Sequence, residues 1–345
     1  MDRATGNLDR VKRRAAVIAI LLSSAAVLGC ARAAEEPPSH PPQARQGPQQ
    51  PLASPRARAQ RPAHIAAVGD IACSPMDSHF ADGKGEDGRC YQADVARLVR
   101  SLRVDGLLLM GDIQYDSGTA EEFAGSFDTS WGQFRRLAYP TPGNHEFNGG
   151  AALGYFSYFG ERAGPAERGY YGANIGAWRV LSLNSNCSIS HACAREGAQV
   201  RWLRSELQRH TRQCTLVMWH HPRFSSGFHG DTPDVDALWR AAANGGADLA
   251  LAGHDHHYER FASMDAHGSL EPSGGLQSFV VGTGGKESYP TLFPQAGSKR
   301  RISRRFGVLD LQLATSGWTS SFVELDGART DPAAGKCGKS ATDRP

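Results

Sequence analysis

Five short segments of the chain carry residues able to do chemistry: Gly69-Asp70, Gly111-Asp112-Ile113-Gln114-Tyr115, Gly143-Asn144-His145-Glu146, Trp219-His220-His221-Pro222 and Gly253-His254-Asp255-His256-His257. Taken singly each has an ordinary explanation, because Gly-Asp and Gly-Asn are common turn dipeptides. Together they deliver Asp, Asn, Tyr and His at five successive strand ends, a set of oxygen and imidazole donors suited to borderline and hard transition metals. His254 and His256 stand one residue apart, so in an extended segment they point the same way. The implied chemistry is metal-assisted.

Such donors need a scaffold that brings strand ends together. HIAAVG, GLLLMG, TLVMWH and ADLALAG read as buried strands, each closing on a polar residue, while VARLVRSL and VRWLRSELQRH read as amphipathic helices between them. This is the pattern of a layered α/β fold, in which site residues collect where strands open into loops. YYGANIG, WRVLSLNS, LQSFVVGTGG, FGVLDLQL and WTSSFVEL add strands with few helices among them, which predicts a second, more antiparallel sheet. No internal repeat or second domain is visible.

The chain has 345 residues, 40% of them hydrophobic and 21% charged, a globular mix. A formal charge of +3 gives no support to nucleic-acid binding through phosphate neutralisation. Lys12, Arg13 and Arg14 precede an apolar run from Ala15 to Leu28 that fits a secretory leader. Val27-Leu28-Gly29-Cys30 resembles a bacterial lipobox, which would put a lipid and a membrane attachment on Cys30; Ala31-Arg32-Ala33 also fits cleavage and free secretion. The Pro-rich stretch that follows, to about Pro62, lacks large apolar residues and reads as a tether. Six further cysteines in an exported chain predict disulfides, and of the fifteen possible connectivities we expect Cys73–Cys90, Cys187–Cys193 and Cys214–Cys337.

The five segments resemble, in order, the blocks D-x-H, GDxxx, GNHE, H and GHxH of the calcineurin-like metallophosphoesterases, over nearly all of the body from Asp70 to at least Arg260. The resemblance implies a four-layer α/β/β/α sandwich with a single catalytic domain over 63–331, between a leader (1–30) with its tether (31–62) and a tail (332–345) tied by Cys337. The first block departs from the pattern, since Ala72 stands where the family has histidine. Tyr115 compensates: GDxxY with a non-histidine first block is similar to the purple acid phosphatase branch, in which a tyrosinate binds Fe(III).

Carried over by position, the resemblance implies that Asp70, Tyr115 and His256 hold one metal, that Asp112 bridges, and that Asn144, His220 and His254 hold the second. The cofactor would be Fe(III) with divalent Fe, Zn or Mn. Against five metal charges, the two Asp carboxylates, a tyrosinate and a bridging hydroxide leave the centre slightly positive, as an anionic ester requires. His220 is the expected ligand of its pair, with His221, Asp255 and His257 in supporting roles. His145 and His229 would face the phosphoryl group or protonate the leaving oxygen. The expected activity is an exported phosphomonoesterase using a metal-bound hydroxide on a small phosphate ester. A phosphodiesterase or nucleotide hydrolase, and a metal- or phosphate-binding lipoprotein without turnover, remain alternatives. SKRRISRR reads as a solvated basic loop, or else a basic rim that steers anionic substrates, VVGTGGK as tight backbone packing, and Trp131, Tyr155, Tyr158 and Trp239 as core or pocket wall. The oligomeric state is not legible.

Overall fold

Apolar runs such as AHIAAV, GLLLM, CTLVM and LALA form strands whose side chains alternate between two faces, because successive Cβ atoms leave opposite sides of the pleat. The computed structural model describes residues 61–165, 168–190, 193–210 and 214–337. The expected leader, Cys30, the tether up to residue 60 and residues 338–345 lie outside the described residues. Among the described residues the strands are β1 (Ala63–Val68), β2 (Gly106–Met110), β3 (Ala138–Thr141), β4 (Tyr171–Ile175), β5 (Trp178–Ser182), β6 (Cys214–Met218) and β7 (Leu249–Ala252). They continue as β8 (Tyr258–Phe261), β9 (Gln277–Val281), β10 (Ser298–Ile302), β11 (Gly307–Ala314), β12 (Gly317–Glu324) and β13 (Arg329–Lys336).

Two sheets result, one of six strands ordered β13-β12-β11-β1-β2-β3 and one of seven ordered β10-β8-β9-β7-β6-β5-β4. Their facing sides share one core: Ile65, Ala67, Leu108 and Met110 from the first sheet meet Leu216, Met218, Leu249, Leu251, Phe279 and Val281 from the second. The alternate residues point outward. Ala66, Val68, Leu107 and Leu109 pack under Val95 and Val99 of helix Gln92–Leu102 and under Phe123, Phe127 and Trp131. Val217, Trp219, Ala250 and Val280 pack under helices Ala198–Arg209 and Asp236–Asn244 through Leu203, Leu207, Leu238 and Trp239. The four layers follow from a two-residue period read on both faces of each sheet. Truncating a residue of the shared core such as Leu108 to alanine would cost about 2–5 kcal/mol.

Three expectations change. The later strands do not make a separate antiparallel sheet: β11 pairs antiparallel with β1 and extends the first sheet, whereas β5, β6, β7 and β9 run parallel in the second. SKRRISRR is not simply a loop, because Ser298–Ile302 is edge strand β10, whose Lys299 and Arg300 face solvent and discourage edge pairing. The chain also does not become a tail after Asp331, since β13 continues to Lys336 beside β12. Pro332 fits there because β13 is an edge strand.

The disulfides are Cys73–Cys90, Cys187–Cys193 and Cys214–Cys337, as expected. The last joins the start of β6, in the seven-stranded sheet, to the residue after β13, in the six-stranded sheet. Among the described residues no helix is long and apolar enough to cross a membrane.

Candidate metal centre

All five segments lie immediately after strands β1, β2, β3, β6 and β7, so neighbouring strand ends converge at one edge of the sandwich. The glycines that precede the donors are there for space. A Cβ on Gly143 would stand 2.1 Å from Asp112 Oδ1, and one on Gly253 would stand 2.6 Å from Asp70 Oδ2. Each glycine thus lets one segment close onto the carboxylate of another. Asp70, Asp112 and His254 hold positive φ angles of 60°, 46° and 71°. Non-glycine residues adopt that region at a cost, and such strain concentrates at functional sites.

The strained turns are held by surrounding hydrogen bonds. Asp70 and Ile71 N–H groups donate to the carbonyls of Gly111 and Asp112 at 3.1 and 2.9 Å. Glu146, buried, accepts from the N–H groups of Asp112 (3.0 Å), Ile113 (2.8 Å), Gln114 (3.1 Å) and Gly143 (2.6 Å). The His254 N–H donates to Asp70 Oδ2 at 2.8 Å, and the His145 N–H to Asp112 Oδ1 at 2.9 Å.

Two groups of donors meet at Asp112. The Tyr115 hydroxyl oxygen lies 3.0 Å from Asp70 Oδ1, 3.2 Å from Asp112 Oδ2 and 3.0 Å from His256 Nε2. On the other side His220 Nε2 lies 3.2 Å from the same Asp112 Oδ2, 3.1 Å from Asn144 Oδ1 and 3.2 Å from His254 Nδ1. His220 Nδ1 donates to the Met110 carbonyl at 2.9 Å, which turns Nε2 toward this cluster.

The charges ask for a cation. Asp70 and Asp112 are both buried. Burial alone would lower the His220 pKa, but the Asp112 charge and hydrogen bond outweigh it and raise it to about 9. His254 is driven well below the ordinary histidine range by burial and then by His220, and His221 falls to about 3 for the same reasons. Both therefore stay neutral, with lone pairs available. Burial and then the Asp112 and Asp70 carboxylates push the Tyr115 hydroxyl well above the ordinary phenol range. Ionising it there requires strong positive charge at the oxygen. By donor chemistry and convergence the residues fit two metal ions sharing Asp112.

The structure brings Asp70, Asp112, Tyr115, Asn144, His220, His254 and His256 together, with His145 and His229 beside them. His145 Nε2 lies 3.9 Å from Asp112 Oδ2, with Nδ1 donating to the Asp116 carbonyl at 2.7 Å. The His229 ring is exposed and centred 4.4 Å from that of His254. His221 comes closer than expected: its ligand atom groups with those of His220 and His254 within 4.8 Å, while Nδ1 meets Ser185 Oγ at 2.9 Å. Asp255 and His257 find their partners outside the donor cluster. Asp255 accepts from Ser225 Oγ and from the His229 N–H at 2.8 Å, and His257 Nε2 meets Glu259 Oε2 at 3.0 Å. Sequence reasoning missed Glu146, whose only signal was an acidic residue closing GNHE.

Two stacked mixed sheets with a converging set of Asp, Asn, Tyr and His at their strand ends make a metallophosphoesterase fold with a candidate metal site. The calcineurin-like phosphoesterase family model matches residues 63–258, and the chain belongs to that family. Two uncharacterized proteins of Mycobacterium tuberculosis, from strains CDC 1551 / Oshkosh and ATCC 25618 / H37Rv, are each 24% identical over 286 residues, covering 68% of this chain and 53% of theirs. The chain thus spans about half the length of the curated relatives it matches. Similar solved structures include a purple acid phosphatase from yellow lupin seeds (TM-score 0.62, 19% identity, 79% of this chain and 53% of that one). GAP50, the anchor in the inner membrane complex of Plasmodium, follows (0.58, 14%, 82% and 91%), with a dimetal phosphatase from Danio rerio (0.54, 15%, 81% and 100%).

Proposed function

We propose that this chain is an exported, dinuclear-metal-dependent phosphomonoesterase of purple acid phosphatase type. The observation that carries the reading is Tyr115, whose hydroxyl oxygen meets Asp70, Asp112 and His256 within 3.2 Å in a chain whose first segment offers Ala72 in place of histidine. In this reading Asp70, Tyr115 and His256 would hold Fe(III), Asn144, His220 and His254 would hold divalent Fe, Zn or Mn, and Asp112 would serve both. A bound metal pair supplies Lewis-acid polarisation of the phosphoryl group and lowers the pKa of water toward neutrality. The chain supplies the rest. His145 keeps Nδ1 on the Asp116 carbonyl and presents Nε2 to the phosphoryl oxygens, which it stabilises when protonated. His229, on a loop fixed by Asp255, stands where the leaving oxygen departs and hands it a proton.

Three disulfides support folding in an oxidising compartment, and with them an exported protein, either freely secreted or a lipoprotein attached through Cys30. The test compares kcat/KM for phenyl phosphate and diphenyl phosphate at acidic and neutral pH. Strong preference for the monoester is expected. Preference for the diester would make the protein a phosphodiesterase, and no turnover of either with metals fully loaded would overturn the enzymatic reading.

A further inference from the structure

The rim of the centre is chemically lopsided. On the His145 side it is polar: Asp116 is exposed, Asn148 Nδ2 donates to the Asp116 carbonyl at 3.0 Å, and Lys286 Nζ pairs with Asp77 at 2.8 Å. On the His229 side it is a run of rings. His254 is followed at 4.4 Å by His229, at 5.4 Å by Phe228, at 5.8 Å by Tyr289, and at 4.3 Å by His256. The run begins and ends on two imidazoles of the donor cluster, so it borders both halves of the centre.

This wall is built rather than incidental. Tyr289 stacks on His256 with only 8° between ring planes, and its N–H donates to the His256 carbonyl at 2.9 Å. The Phe228 loop is pinned from beneath, because the Ser226 carbonyl and hydroxyl accept from the N–H groups of Leu292 (3.0 Å) and Gln295 (2.9 Å). Yet the Phe228 side chain at the crest is 64% exposed. A single exposed apolar residue is ordinary on a protein surface. A loop that holds a phenyl ring in water, one residue from His229 and against a tyrosine stacked on His256, is an apolar surface open beside the donor cluster.

We propose that Phe228 and Tyr289 form the subsite for the organic half of the substrate, and that the group they take is planar and aromatic. The inference rests on the phosphoester reading for its anion and adds the class of ester, an aryl or other flat-ringed monophosphate in preference to an alkyl one. With the phosphoryl group at the centre, a leaving group must pass over one rim or the other. Among the described residues, the Phe228 side returns dispersion and stacking to a flat ring, through the quadrupole and contact area of the two aromatic faces.

The test uses binding, so that it does not depend on turnover. Phenylphosphonate and methylphosphonate carry the same anion, and their Kd values are measured by calorimetry on the metal-loaded wild type, Phe228→Ala and Phe228→Tyr. Phenylphosphonate is expected to bind the wild type roughly tenfold more tightly, the scale of one aromatic stacking contact. Phe228→Ala should erase that ratio and Phe228→Tyr should keep it. Equal affinity for the two anions in the wild type, or a ratio that survives Phe228→Ala, would overturn the subsite. Binding of neither anion would overturn it together with the phosphoester reading. Ring discrimination with no hydrolysis of phenyl phosphate would remove the enzymatic reading alone and leave the subsite standing.

Discussion

The Tyr115 hydroxyl lies 3.0 Å from His256 Nε2, joining the segment after β2 to the segment after β7 across 141 residues of sequence. The buried ring meets this imidazole and two carboxylates at a single oxygen. If that oxygen is an iron ligand, Tyr115→Phe removes the visible tyrosinate-to-iron absorption while leaving the ring's packing intact. Absorption spectra beside metal analysis decide the point: a coloured wild type whose band is unchanged in the variant would refute the assignment.

His145 and His229 approach the centre without belonging to either donor group. Replacing either by alanine is expected to lower kcat/KM by about 10²–10⁴-fold, the usual contribution of a positioned acid or base, with bound metal unchanged. Kinetics and metal stoichiometry are measured on the same preparation. Loss of metal in step with activity would mean that these histidines are ligands.

Glu146 acts through backbone. Four N–H groups from the segments that carry Asp112 and Asn144 end on its carboxylate, so Glu146→Gln replaces two acceptor oxygens with one and a donor. Metal affinity should fall about 10–100-fold, as for other residues that orient ligands. Competition with a chelator reads this directly; an unchanged affinity would reduce Glu146 to a folding role.

Asp331 on β13 receives the Tyr258 hydroxyl at 2.8 Å and the Arg260 guanidinium at 2.8 and 2.9 Å from β8, tying one sheet to the other. Burial would raise its pKa, but the hydrogen bonds from Arg260 and Tyr258 outweigh it and hold the carboxyl below its ordinary value. The folded protein therefore binds this proton less readily than the unfolded chain. The stabilisation is complete above the unfolded value of about 4 and is lost as pH falls through the folded one. Asp331→Asn should cost about 1–3 kcal/mol at pH 7. In urea titrations the gap between variant and wild type should close below about pH 4, and a gap independent of pH would contradict the account.

The strand ends were legible because four of the five segments open on a glycine followed by a polar donor and the fifth on Trp219-His220, a local signal that needs no knowledge of pairing. Which sheet each later strand joins was not legible. FGVLDLQL pairs with β1, about 240 residues earlier in the chain, and that choice depends on register and shared burial rather than on its own pattern. The charge-rich SKRRISRR hid β10 because an edge strand needs one buried face only weakly. The preference for His220 over His221 came only from the family resemblance, which places the ligand two residues before proline, and the nearness of His221 to His254 arises from how β6 and β7 align, which no local motif encodes.

The three disulfides differ in when they can close. Cys73–Cys90 and Cys187–Cys193 span 17 and 6 residues, so each pair can meet early, before the rest of the chain has folded. Cys214 must wait for a partner 123 residues further on, past seven more strands of both sheets. That bond is therefore a record of completed assembly: a molecule carrying it has already brought its final edge strand home.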